Sequence, residues 1–147
     1  MGRVKLKFPD NNPLFIASIS VRIGDINFGG HVGNDAILSI VHEARVQMLR
    51  SHGYDEINAG GNSLIMADAM IAYRGESFYG DMLTVKIFSD EIADRSFDLL
   101  YHISTVRGGK LVEIAHAKTG MACFNYETRK IALITDELRN LLKSSQE

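Results

Sequence analysis

At 147 residues the chain can bury one real core but not two, so a single domain spanning 1–147 is expected. Its 46% hydrophobic and 23% charged residues, with only 2 Pro, exclude wholesale disorder. With 16 Lys+Arg against 18 Asp+Glu the formal charge is -2 and no basic block stands out, so a nucleic-acid partner is not expected.

No stretch approaches the length of a membrane span. The opening M-G-R-V-K-L-K-F has no long apolar run, and the lone Cys123 cannot close an internal disulfide. No Cys/His spacing makes a zinc site, so no metal is expected, and a reducing, cytoplasmic setting away from membranes is the expectation.

In chain order, residues 1–13 are polar and end in the turn-rich D-N-N-P, which predicts a surface lead. Ile16 to Ile23 alternates as a strand does, with Ile19, Val21 and Ile23 on one face. A glycine-rich loop follows, V-R-I-G-D-I-N-F-G-G-H-V-G-N over Val21 to Asn34. Asn34 is then the expected N-cap of a long helix, with Asp35 in its first turn, Ile37, Ile40, Val41, Ala44 and Met48 at helical spacing, and Gly53 as C-cap. Leu64–Tyr73, Leu83–Ser89, Phe97–Val106 and Leu111–Asn125 read as strands, the last two joined by a hairpin turn at R-G-G-K. Thr135 caps a short closing helix over 136–143. A strand, a long helix and then a run of strands define an α+β fold, an antiparallel sheet with one helix on one face. That much sheet leaves an edge wanting cover, so a homodimer is expected.

The loop and helix together carry a resemblance. Asp25, Gly30, His31, Val32 and Asn34, followed by Glu43, Ala44 and Arg45, match without a gap the pattern of hotdog-fold acyl-CoA thioesterases related to 4-hydroxybenzoyl-CoA thioesterase. A-Y-R-G-E-S-F-Y-G-D at Ala72 to Asp81 and the ending I-T-D-E-L-R also resemble that family. The resemblance implies a hotdog fold, an antiparallel sheet wrapped around one long central helix plus a short C-terminal helix. It also implies dimers, which in the family commonly pair into tetramers.

The family's chemistry explains the loop. Unpaired N–H groups at the positive end of a helix dipole polarise a thioester carbonyl, which makes Gly29, Gly30, Val32, Gly33 and Asn34 the expected substrate-binding residues. The family usually places its catalytic carboxylate on the second acid of the pattern, where this chain has Asn27. An amide cannot take a proton at neutral pH, so the usual mechanism does not carry over.

Four residues are candidates for the catalytic role. Asn27 could hold the attacking water or donate to the thioester oxygen, or simply form an Asx turn. His31 could be a neutral base, although a structural bond to the loop backbone is the preferred expectation. Glu43 is the best replacement carboxylate, unless it only pairs with a neighbouring cation. His42 beside it, where the family often has an acid, points about 100° away. Asp25 is expected to hold the turn while staying in contention. Met66, Met70, Tyr73, Phe78 and Tyr79 could line an acyl tunnel but are expected to be core. Arg95, Arg107 and Lys110 could meet coenzyme A phosphates but are expected to be solvated.

Hydrolysis of an acyl-CoA or acyl carrier protein thioester is thus the leading expectation, with no cofactor beyond the coenzyme A of the substrate. An R-specific enoyl-CoA hydratase is the alternative, because G-D-I-N-F-G-G-H resembles that family's motif and would make Asp25 and His31 an acid/base pair. A non-catalytic acyl-thioester-binding protein is the third.

Overall fold

The computed structural model describes residues 2–144; Met1 and residues 145–147, the ends of the expected domain, lie outside the described residues. Its elements run β1 (Phe15–Ser20), a 3-10 turn (Ile23–Asp25), α1 (Asn34–Ser51), β2 (Ser63–Tyr73), β3 (Met82–Asp90), β4 (Ser96–Arg107), β5 (Lys110–Asn125), β6 (Lys130–Ile131) and α2 (Asp136–Lys143). The sheet has the order β1-β3-β4-β5-β2, antiparallel throughout, with β6 pairing beside β5. This is the expected hotdog arrangement.

Periodicity places the core. Ile37, Ile40, Val41, Ala44 and Met48 on one side of α1 are all buried, and so are Leu83, Val85 and Ile87 of β3 and Phe97, Leu99, Tyr101 and Ile103 of β4. On β5 the small Ala115 and Ala117 stand opposite Ile103 and Tyr101, leaving room for the helix against the middle of the sheet. Gly108 and Gly109, at φ +60 and +76, make the two-residue turn that pairs Arg107 with Lys110. Thr135 Oγ1 accepts the Leu138 amide at 3.2 Å, the expected cap of α2.

The ends of α1 show how the chain is steered. At its close the Gly53 amide donates to the Arg50 carbonyl and the Tyr54 amide to Leu49, with Gly53 at φ +78, so the glycine follows a cap at His52 in a Schellman arrangement. At its start the cap is Gly33, not Asn34 as expected. The Gly33 amide donates to the Asp25 carbonyl and its own carbonyl accepts Ala36, which makes Gly33 the turning residue and Asn34 the first of the helix.

The first strand also stops early. Asp25 Oδ2 accepts the Arg22 amide at 2.9 Å and winds the chain into the 3-10 turn. Ile23, expected to share a face with Ile19 and Val21, is therefore 73% exposed. β6, unseen in the sequence, is a two-residue pairing with Phe124 and Asn125.

Two surfaces matter below. The outer face of the sheet carries Phe8 of the N-terminal lead, whose ring stands edge-on to Phe88, His102 and His116. One edge of the sheet is β2, with Met66 and Tyr73 exposed, and Phe78 and Tyr79 in the connection to β3 are exposed too. Those four were expected in the core; Met66 and Tyr73 lie instead on an edge strand, and Phe78, with the Arg107 guanidinium 5.0 Å over its ring, and Tyr79 lie in the connection to β3.

Candidate active site

The loop ahead of α1 is held by its own bonds. Ile26 bridges to Val32, the Asn27 amide donates to the His31 carbonyl at 3.0 Å, and Gly30, at φ +84, donates to the Asn27 carbonyl. Asn27 Oδ1 accepts the Gly29 amide at 2.9 Å, which is an Asx turn. His31 Nδ1 donates to the Val32 carbonyl at 3.0 Å, since a carbonyl can only accept; Nε2 has no hydrogen-bond partner among the described residues.

These bonds redraw the expected cradle. Gly29 and Gly30 donate within the loop, Val32 donates to the Ser77 carbonyl at 2.8 Å and Gly33 to Asp25 at 3.0 Å. Four of the five amides expected to bind a thioester oxygen are thus occupied, three by the loop's own acceptors and that of Val32 by the distant Ser77. Among the described residues, the amides of Asn34 and Asp35 have no acceptor, and they are the first two of the helix. Unpaired donors at the positive end of an 18-residue helix remain available to an anionic oxygen.

Clefts surround the front half of α1. One of about 250 Å³ opens at the mouth itself, lined by His31, Val32, Asn34, Tyr73 and Ser77. Tyr73 Oη donates to the Asn34 carbonyl at 3.1 Å and braces this wall. A second, about 210 Å³, runs beside the helix between Asp25 and Arg22 at one end and Ser39, Glu43 and Gln47 along its length. A third, about 530 Å³, lies on the opposite flank among Asp35, Ser39, His42, Arg45, Glu56 and Met66, next to the free edge of β2.

The structure therefore brings Asp25 and Glu43 into one cleft and His31 and Asn34 into another, while Asn27 lines none of the three. Asp25 and His31 line different ones of these three clefts, which does not favour the hydratase pairing.

Glu43 does not pair with Arg45. The guanidinium of Arg45, only 5% exposed, donates through Nε to Glu56 Oε2 at 3.3 Å and through Nη1 to Tyr101 Oη at 3.2 Å, and Tyr101 meets Thr119 Oγ1 at 2.8 Å. Burial works against the Arg45 charge, but Tyr101 and Glu56 outweigh it and its pKa is raised. Burial likewise raises that of the Tyr101 phenol. With Arg45 engaged elsewhere, the Glu43 carboxylate has no ion-pair or hydrogen-bond partner among the described residues.

Two residues escaped the sequence. Glu56 lies in a polar turn region, 11 positions beyond Arg45, and its Oε1 meets His42 Nε2 at 2.6 Å. Asp35 looked like a dipole-matching acid, yet its Oδ1 folds back to within 2.8 Å of where a Cβ on Gly33 would stand, beside the free amides.

An antiparallel sheet with one long helix packed on it by its apolar face, and unpaired amides at that helix's start, defines a hotdog domain of the thioesterase kind. The chain belongs to the thioesterase-like superfamily, whose family model matches residues 21–142. It is 31% identical over 124 residues to the 1,4-dihydroxy-2-naphthoyl-CoA hydrolase of Acaryochloris marina, covering 81% of this chain and 88% of that one. The enzyme of the same name from Rippkaea orientalis is 26% identical over 130 residues, covering 86% and 94%. Among solved structures, a 1,4-dihydroxy-2-naphthoyl-CoA thioesterase from Synechocystis superposes with a TM-score of 0.76 at 24% identity, covering 87% of this chain and 94% of that one.

Proposed function

We propose that this chain hydrolyses acyl-CoA thioesters, with an aromatic acyl group as the preferred substrate. The observation that carries the proposal is the pair of unpartnered amides, Asn34 and Asp35, at the start of the central helix of a thioesterase-like domain. In this account the thioester oxygen takes those two N–H groups as charge develops on it. Aromatic preference rests on the curated relatives, both named for a dihydroxynaphthoyl-CoA.

Glu43 is the proposed base. It has no partner among the described residues and lies nine residues beyond Asn34, about 13.5 Å along the axis, which is too far to serve an oxygen held at its own helix mouth. We infer a homodimer in which Glu43 of a second copy faces the mouth. Asn27, tied into the loop through Oδ1 and lining none of the three clefts, holds the turn and takes no step in this reaction. The reaction needs only water and the substrate: water adds to the carbonyl carbon as Glu43 takes one of its protons, the carbon–sulfur bond breaks, Glu43 returns that proton to the departing sulfur, and the acid formed loses its remaining proton to solvent, giving a carboxylate and coenzyme A thiol.

The test is thiol release from a panel that includes 1,4-dihydroxy-2-naphthoyl-CoA, benzoyl-CoA and straight-chain acyl-CoAs. Release fastest with the aryl members supports the proposal. No release above background from any member removes it, and faster release from aliphatic members removes the aromatic preference alone.

A further inference from the structure

On the outer face of the sheet, opposite α1, two histidines and a glutamate converge. His102 of β4 and His116 of β5 are register partners, which sets their side chains together on one face with ring centroids 5.0 Å apart. Glu113, three residues before His116, reaches the same point because the β4–β5 register shifts between Ile103 and Ser104. Its Oε1 accepts from His102 Nε2 at 2.9 Å and from His116 Nε2 at 3.2 Å.

We propose that His102, Glu113 and His116 form a binding site for a divalent transition ion of the zinc class. Their ligand atoms all lie within 4.8 Å of one another. Ligands bound at 2.0–2.1 Å in a tetrahedron stand roughly 3.3 Å apart, so the two N···O distances are already close to what an ion requires, while the two ring nitrogens, no more than 4.8 Å apart, close to that spacing on binding. Two imidazoles and one carboxylate suit zinc, cobalt, nickel or copper and not magnesium or calcium, which require oxygen ligands.

The surroundings fit the role. Phe8 walls the cluster on one side and the two rings are 21% and 11% exposed, while Glu113 at 48% leaves an approach from solvent and room for a water as fourth ligand. Ligation replaces the proton on each Nε2 and leaves the neutral rings protonated at Nδ1. Both Nδ1 atoms are buried without a partner. Such outer acceptors contribute about 10–100-fold to affinity, so binding in the micromolar range is expected, weaker than in a supported zinc site.

Calorimetric titration of the chelator-treated full chain with zinc chloride at neutral pH tests this, followed by cobalt chloride with the visible spectrum recorded. Expected are one ion per chain, a tetrahedral cobalt spectrum, and a Tm rise of about 5–10 °C at a free zinc concentration one hundred times Kd. Glu113→Gln, at the exposed ligand, weakens binding at least tenfold, as does His102→Ala; His52→Ala, on the far end of α1, leaves it unchanged. Absence of binding below millimolar zinc overturns the proposal. So does equal binding by the parent and the Glu113→Gln chain, which places the ion elsewhere. Neither result bears on thioester hydrolysis, which this site does not enter.

Discussion

Replacing Asn34 with proline removes one proposed oxyanion donor without disturbing the helix that carries it. Proline favours the first helical position, where its missing N–H is not needed by the helix. It also requires an extended residue before it, and Gly33 already has φ -71 and ψ 155. The Asn34 amide has no acceptor among the described residues, and the bond from Tyr73 Oη to the Asn34 carbonyl survives the change. Stability should therefore hold, or rise by about 0.4–1 kcal/mol through the stiffer unfolded chain. Activity should not. Loss of a single oxyanion donor costs about 10²–10³ in kcat, or about 2.7–4 kcal/mol, and with Asp35 still donating the lower end is expected. The assay is thiol release at saturating aryl-CoA, beside a thermal melt. Asn34→Ala keeps the amide and serves as the control, expected within a few-fold of the parent. A proline chain that melts at or above the parent and turns over within a few-fold of it refutes the oxyanion assignment.

Glu43→Gln should lower kcat by about 10²–10⁴. Mixed and re-equilibrated with Asn34→Pro, it should recover about a quarter of parental activity, since half the dimers are mixed and one of the two sites in each is whole; no recovery means that Glu43 acts within its own subunit. Tyr101→Phe strips the hydroxyl that joins Arg45 to Thr119 and leaves two buried polar groups short of a partner, so a loss of about 1–3 kcal/mol is expected, read as a fall in Tm of a few degrees to about 10 °C. Burial disfavours the Asp81 charge, but the Phe78 amide, Arg107 at 2.6 Å and Ser77 outweigh it and lower its pKa. Its stabilisation is therefore complete above the unfolded carboxyl value of about 3.9 and disappears as pH falls through the lower folded one. Urea midpoints should drop across that window in the parent and more gently in Asp81→Asn.

Local rules made the frame legible. Apolar spacing gave the buried face of α1 and of two strands, R-G-G-K gave its hairpin, and Thr135 gave its cap. Each of these depends on residues within a few positions of one another. What escaped depends on distant partners. Nothing near Val32 announces that its amide is taken by Ser77, and so the cradle looked wider than it is. Arg45 could not be separated from Glu43 without knowing that Glu56 returns to the helix. His102 and His116 are 14 positions apart, unlike any short ligand motif, and only the β4–β5 register makes them neighbours. Asn34 and Gly33 were exchanged as cap because the Asp25 carbonyl, eight residues upstream of Gly33, decides which of them turns. The substitution at Asn27 was visible in the sequence, but its bond to Gly29 and its absence from the three clefts were not.

The most direct measurement is a crystal structure with an aryl-CoA analogue in which a methylene replaces the scissile sulfur, leaving an unreactive ketone. The account predicts the ketone oxygen about 2.7–3.1 Å from the Asn34 or Asp35 nitrogen, with Glu43 of a second copy facing the carbonyl carbon. A ketone bound away from the start of α1, with those two amides still turned to water, would contradict it.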